Sequence, residues 1–270
     1  MNQKEKFILL TRNEFKDWLS NTSFRRIIKI IQNHHTWKPS YAQFDGKNYF
    51  AQLEGMERSH NERGLGGIAQ NITTFIDGLI AICRSFEEMP AGIKNANGGA
   101  ICIEHLGNFD ENGDIMTDEH RETIIFVNAL LCLKFNIIPN TDFIVYHHWY
   151  DLNTGKRTDG TGSTKSCPGT NFFGGNTVEA ARNNFIPLIQ NLYNLTKNKS
   201  FVDAKNDNPQ QKGKILVNDL RIRTGPGLTH NVVAKLKIGT IIDICEERDG
   251  WYKIGENQWV FAKYVQLIEK

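Results

Sequence analysis

Three short clusters of metal-ligating side chains stand beside apolar runs in this 270-residue chain. Asn33-His34-His35-Thr36-Trp37 follows Ile27-Ile28-Lys29-Ile30-Ile31, and Tyr146-His147-His148-Trp149 follows Phe143-Ile144-Val145. Lys165-Ser166-Cys167-Pro168-Gly169 follows a loop rich in Gly, Thr and Ser. Two imidazoles and a thiolate delivered to one end of a sheet make a three-ligand zinc site. Catalytic zinc needs that count, because the open fourth position takes the water to be activated. A single His-His pair or a lone Cys is ordinarily a packed core side chain. The joint appearance of three such clusters, each at a strand or loop edge, is what points to a metal. Adjacent rings on a strand face opposite ways, so one histidine of a pair faces the ion.

The elements that must position these residues alternate between strand and helix. Residues 13–31 read as a helix followed by an apolar strand, and 67–82 carry Ile68, Ile72, Phe75 and Ile76 ahead of an Asp77-Gly78 turn. Residues 100–106 alternate like a strand. Residues 117–135 read as a helix with Thr or Asp at its N-cap, 143–146 as a buried strand and 177–195 as an amphipathic helix. This order implies an α/β domain over residues 1–195, a central mixed β-sheet flanked by helices. The polar stretch 196–214 lacks a period and reads as a linker. From 215 to 270 the chain gives short β-branched and aromatic runs separated by Gly225-Pro226-Gly227, Gly239, Asp249-Gly250 and Glu256-Asn257, the pattern of a small all-β barrel.

A formal net charge of +2 is too small to argue for a nucleic-acid partner, although a weakly basic face assists approach to an anionic surface such as a cell wall. No stretch approaches the ~20 apolar residues of a membrane helix. The N-terminal apolar run, Phe7-Ile8-Leu9-Leu10, is short and no small-residue cleavage site follows, so no signal peptide is expected. Cys83, Cys102, Cys132, Cys167 and Cys245 lack paired spacing, which is not a disulfide framework. Synthesis and folding in a reducing cytosol are expected, whatever the later place of action.

The clusters at 33–37, 145–151 and 164–169, with Ala-Ile-Cys-Ile-Glu-His-Leu-Gly-Asn at 100–108, together resemble the zinc amidases. That family includes phage lysozyme-type endolysins and the animal peptidoglycan recognition proteins. The resemblance covers about residues 25–195 and is strongest at Lys165-Ser166-Cys167-Pro168-Gly169. It implies a Zn2+ cofactor, a bacterial peptidoglycan (muropeptide) substrate and hydrolysis of the amide between the lactyl group of N-acetylmuramic acid and L-alanine. Carried over, His34 is the first ligand rather than His35, and Cys167 is the third. The second is His147 or His148. The resemblance favours His147, which ends the apolar strand as in relatives and has Asp151 four residues on. Lys165, two residues before the cysteine, takes the place of the catalytic lysine, suited to steadying an oxyanion. Glu104 matches a glutamate in a strand of some relatives and is suited to general-base work. One departure is Gln70, at the position where many relatives have a tyrosine; an amide cannot reproduce a phenol's acidity.

Residues 217–227, 236–240, 249–254 and 258–265 resemble bacterial SH3-like modules, whose usual role is to bind peptidoglycan peptides. Trp251 and Trp259 are expected in the core of that barrel rather than on a ligand. The expected function is thus a wall-degrading N-acetylmuramoyl-L-alanine amidase, an endolysin or an autolysin, acting at the bacterial wall. A non-catalytic peptidoglycan recognition protein is the alternative implied by Gln70. A purely structural zinc would need a fourth protein ligand, for which His35 and His60 are the candidates.

Overall fold

The computed structural model describes residues 2–4, 6–206, 211–255 and 257–268. The chain forms two compact units, Met1–Leu195 and Thr196–Lys270. The first is built on a seven-stranded sheet whose order is β1-β2-β5-β4-β6-β3-β7. Its strands are β1 (Asn2–Lys4), β2 (Phe7–Leu10), β3 (Ile30–His35), β4 (Ile72–Thr74), β5 (Ile80–Ile82), β6 (Ala100–His105) and β7 (Ile144–Tyr146). β4, β6, β3 and β7 run parallel, and β5, β2 and β1 extend the sheet antiparallel.

Alternation along the strands assigns side chains to two faces. In β2, Leu10 packs into the larger core while Phe7 and Leu9 pack into a second one; in β5, Ile80 and Ile82 join the first and Ala81 the second. Helices α1 (Arg12–Asn21) and α3 (Asp118–Lys134) supply Phe15, Leu19, Ile124, Val127 and Leu131 to the larger core. Helix α2 (Tyr49–Glu62) supplies Leu53 and Met56 to the other. Truncating any of these to Ala is expected to cost about 2–5 kcal/mol. Thr11 caps α1 in a reciprocal box with Glu14, and Thr117 caps α3 ahead of Asp118 and Glu119. The last helix begins as α4 (Val178–Ala180), passes through a π-helical turn at Ala181–Phe185 and continues as α5 (Ile186–Asn206).

The second unit is antiparallel throughout. A three-stranded sheet has β8 (Gln211–Ile215) between β11 (Ile241–Ile244) and β15 (Val265–Ile268). A five-stranded sheet is ordered β10-β9-β14-β13-β12, from β9 (Leu220–Arg223), β10 (Val232–Leu236), β12 (Glu246–Arg248), β13 (Trp251–Gly255) and β14 (Gln258–Phe261). Asp249 and Gly250, both at positive φ, make the two-residue turn between β12 and β13 that the strand twist favours. Ile215, Leu220, Ile222, Ile242, Tyr252, Val260 and Val265 fill its core. Trp251 and Trp259 are both buried.

Residues 196–214 are not the bare linker expected. Helix α5 extends to Asn206, and β8 starts at Gln211, ahead of the expected barrel boundary at 215. Extending a nucleated helix costs far less than starting one, and β8 finds partners on both edges. Residues 207–210 and Glu256 lie outside the described residues.

Candidate active site

Parallel sheets place ligand sites beyond the carboxyl ends of their strands; β3 ends here in His34 and His35, and the pair His147-His148 directly follows the end of β7. The β3–β6 register sets His34 beside Glu104 and His35 beside His105. After Tyr146 the chain leaves β7 for a single 3-10 turn, His147–Trp149, which separates the two rings of the pair. The third cluster is held by hydrogen bonds. Ser166 Oγ donates to Asp110 Oδ2 at 3.0 Å, Asn176 Nδ2 donates to Ser166 O at 2.8 Å, and Thr170 N donates to Asp110 Oδ1 at 3.0 Å. Gly169 closes the loop at a φ of +120°, where a Cβ would stand 2.3 Å from Phe109 O.

This folding brings the ligand atoms of His34, His147 and Cys167 within 4.8 Å of one another. Cys167 Sγ lies 3.5 Å from His34 Nδ1, and the two imidazole centroids are 4.9 Å apart at 66°. A tetrahedral zinc at ~2.3 Å from sulfur and ~2.05 Å from nitrogen spaces those two ligand types about 3.6 Å apart. Burial drives the chemistry of the set. It pushes the His34 pKa well below its ordinary value and that of His147 down to about 4, with Lys165 adding to both. Burial also raises the Cys167 thiol well above its usual range, and Glu104 adds to that. Two neutral imidazoles therefore offer lone pairs, and a thiolate there needs a cation beside it. The donor set fits zinc.

His148 faces elsewhere. Its Nδ1 donates to Lys165 O at 2.7 Å and its backbone N donates to Cys167 O at 2.7 Å, which ties the turn to the cysteine loop. His35 Nδ1 accepts from Phe109 N at 3.1 Å, and His60 Nδ1 accepts from Ala69 N at 2.9 Å. Neither belongs to the cluster, which among the described residues has three members. Asp151 organises its own loop, its Oδ1 accepting from Thr154 N at 2.8 Å and Oδ2 from Ser163 N at 3.0 Å.

The three side chains line a cavity of about 660 Å³ together with Glu104 and Lys165. Glu104 Oε2 is buried without a hydrogen-bond partner, and burial raises the carboxyl pKa to about 8 against the opposing charges of Lys165 and Arg63. Lys165 itself is exposed. Gln70 is fully buried, and its Nε2 donates to Thr73 Oγ1 at 2.9 Å rather than lining the cavity. The sequence offers no expectation for the wall supplied by α2 and the loop after it, where Met56, Ser59, Arg63 and Leu65 face the cavity beside His60. Their spacing from 56 to 63 was the available signal.

Beneath the site runs a buried chain of polar groups. Asn128 Nδ2 and His105 Nε2 both reach Asn33 Oδ1, at 2.9 and 3.0 Å, so the His105 proton sits on Nε2. Thr74 Oγ1 then donates to His105 Nδ1 at 2.8 Å and accepts from His120 Nε2 at 2.7 Å, and the Tyr41 hydroxyl donates to His120 Nδ1 at 2.8 Å. Asn33 and His105 are each one residue from His34 and Glu104, on the opposite face of the sheet.

A family model described as N-acetylmuramoyl-L-alanine amidase matches residues 24–170, and one described as bacterial SH3 domain matches residues 218–266. No curated protein matches the chain. Similar solved structures include the N-acetylmuramoyl-L-alanine amidase LysC from Clostridium intestinale URNW, at 22% identity over 54% of this chain and 80% of that one, with a TM-score of 0.41. The endolysin amidase LysCS from the same organism is 21% identical over 64% of this chain and 86% of that one, TM-score 0.41. Drosophila PGRP-LB is 18% identical over 59% and 83%, TM-score 0.45. With more than half of its length matched by that one model, on the domain that carries the His34, His147 and Cys167 cluster, the chain belongs to the N-acetylmuramoyl-L-alanine amidase family.

Proposed function

We propose that the protein is a zinc-dependent amidase that cuts the bond between the lactyl group of N-acetylmuramic acid and L-alanine in peptidoglycan, and so lyses bacterial walls as an endolysin or autolysin. The observation that carries this reading is the convergence of His34, His147 and Cys167 on the floor of a cavity that also holds Glu104 and Lys165. Three protein ligands is the count of catalytic rather than structural zinc. Zinc held there supplies Lewis-acid polarisation of the scissile carbonyl and of the attacking water. Glu104 Oε2, buried and unpartnered, takes the water's proton and returns it to the leaving L-alanine nitrogen. The Lys165 ammonium, at the cavity rim, meets the negative charge that develops on the carbonyl oxygen. The barrel holds the enzyme on the wall and raises the local substrate concentration.

The test is release of new N-terminal L-alanine from purified walls. Hydrolysis that a chelator abolishes and added zinc restores is expected. A second reading, a protein that holds peptidoglycan without cutting it, is favoured by Gln70 at the sequence position where many relatives have a tyrosine, since its buried amide puts no phenol into the cavity. Sedimentation with walls and no release of amine, with zinc bound, would establish that second reading in place of the first.

A further inference from the structure

The metal-ward nitrogen of His34 is Nδ1, 3.5 Å from Cys167 Sγ, and its other nitrogen, Nε2, is buried with no hydrogen-bond partner. Gln32 Oε1 is also buried and unpartnered. The two belong to the same face of β3, because residues two apart on a strand point the same way. A Cβ built on Gly92 would stand 2.3 Å from Gln32 Oε1, 2.8 Å from Cys102 Sγ and 3.1 Å from His34 Nε2, so all three atoms gather around one point beneath that glycine. The rest of the Gln32 amide is held: its Nε2 donates to Ala96 O at 2.8 Å and lies 3.4 Å from Asn97 Oδ1. Asn97 Oδ1 in turn accepts from Gly92 N at 3.1 Å and Ile93 N at 2.9 Å, which joins the amide to the loop above it.

We infer that Gln32 is a positioning residue for the metal centre, its carboxamide oxygen accepting the Nε2 proton of His34 and so committing that imidazole to offer Nδ1 to zinc. The inference rests on the zinc reading above. A histidine that gives one nitrogen to a metal carries its proton on the other, and a partner for that proton fixes both tautomer and ring orientation. Gln32 and His34 each leave one buried polar atom unpaired beside the same glycine, and a hydrogen bond between them satisfies both. Of the neighbours around that point, the thiol of Cys102 is a weak acceptor and the amide oxygen a strong one. Gly92 leaves the space in which the two meet.

The test is zinc affinity of the full-length protein by chelator competition, for wild type, Gln32→Leu and Gln32→Glu. Gln32→Leu is expected to weaken zinc binding about 10–100-fold, the usual cost of losing an outer partner of a ligating histidine. Its circular dichroism without metal should match wild type. Gln32→Glu, which keeps an oxygen acceptor, should bind at least as tightly as wild type. Zinc affinity of Gln32→Leu within about threefold of wild type overturns the inference. A wild-type measurement stands apart from any folding defect in the variants. Long-range proton–nitrogen correlation on the zinc-loaded protein should show the His34 proton on Nε2, and a proton on Nδ1 overturns the inference. Wild type that takes up no zinc overturns instead the function proposed above.

Discussion

Within the cavity the histidines that are adjacent in sequence have unequal roles, and substitution separates them. His147→Ala removes a member of the three-ligand cluster and is expected to leave the purified protein without stoichiometric zinc. His148→Ala breaks the hydrogen bond to Lys165 O and leaves the cluster whole, so zinc should stay bound. Elemental analysis of the two variants decides the matter, and retention of zinc by His147→Ala contradicts the assignment. Lys165→Ala should lower kcat about 10²–10³-fold with zinc retained, the range for losing one group that stabilises an oxyanion. Glu104→Gln should lower hydrolysis by about 10²–10⁴-fold, again with zinc bound, because an amide cannot move the proton. Unchanged turnover in Glu104→Gln sinks the proton-transfer role. At this scale much was legible. The motifs singled out Glu104, Lys165, Cys167 and both histidine pairs. The choice within 147–148 was not resolved by strand alternation, because β7 stops at Tyr146 and the pair sits in a 3-10 turn.

The strands that carry the site are locked from behind by the chain from Asn128 to Tyr41. Burial holds His120 down to about pKa 3 and His105 well below the ordinary value. Both are therefore neutral when folded and take up protons on unfolding once the pH drops below their unfolded value of about 6.5. Folded pKa values below the unfolded ones mean that this stability is complete above about pH 6.5 and is lost as the pH falls toward about 3. Thermal melts at pH 7 and pH 4.5 should show the loss, and the drop should be smaller in His120→Asn, which removes one of the imidazoles. An equal drop in that variant contradicts the account. Thr74→Val strands a donor and an acceptor together and is expected to cost about 1–3 kcal/mol in denaturant unfolding. The apolar strands β3, β6 and β7 and the capped helix α3 could be read in advance, since their runs and caps are local signals. Helix α2 could not. It has no side-chain cap hydrogen bond at Asn48, and its buried face is only Leu53, Met56 and His60. Met56, Ser59 and His60, with Arg63 at its C-cap, face the cavity at helical spacing but are mostly polar, so they give no hydrophobic period. Nothing local marked the extension of α5 to Asn206 either, since a polar stretch reads the same in a helix as in a linker.

Across the whole chain, each unit has a core of its own, so catalysis and wall attachment should separate. A chain cut after Asn206, which preserves α5, should hydrolyse a soluble muropeptide at the wild-type rate and clear insoluble walls more than about tenfold more slowly. Equal clearing of walls would remove the tethering role. The groove of about 440 Å³ on the barrel, where Trp251 meets Phe261 and Tyr264, is the surface to probe for that attachment. The barrel was plain in the sequence because Asp249-Gly250 and its neighbouring turns punctuate short β-branched runs, and a hairpin is a local structure.

The proposed catalysis depends on one ion and the atoms around it. Zinc K-edge X-ray absorption on the purified protein reads those atoms directly. One sulfur at about 2.3 Å and two imidazole nitrogens at about 2.0–2.1 Å, with the sulfur lost in Cys167→Ala, is the expected result. A wild-type protein that takes up no zinc, or whose zinc has no sulfur neighbour, would contradict it.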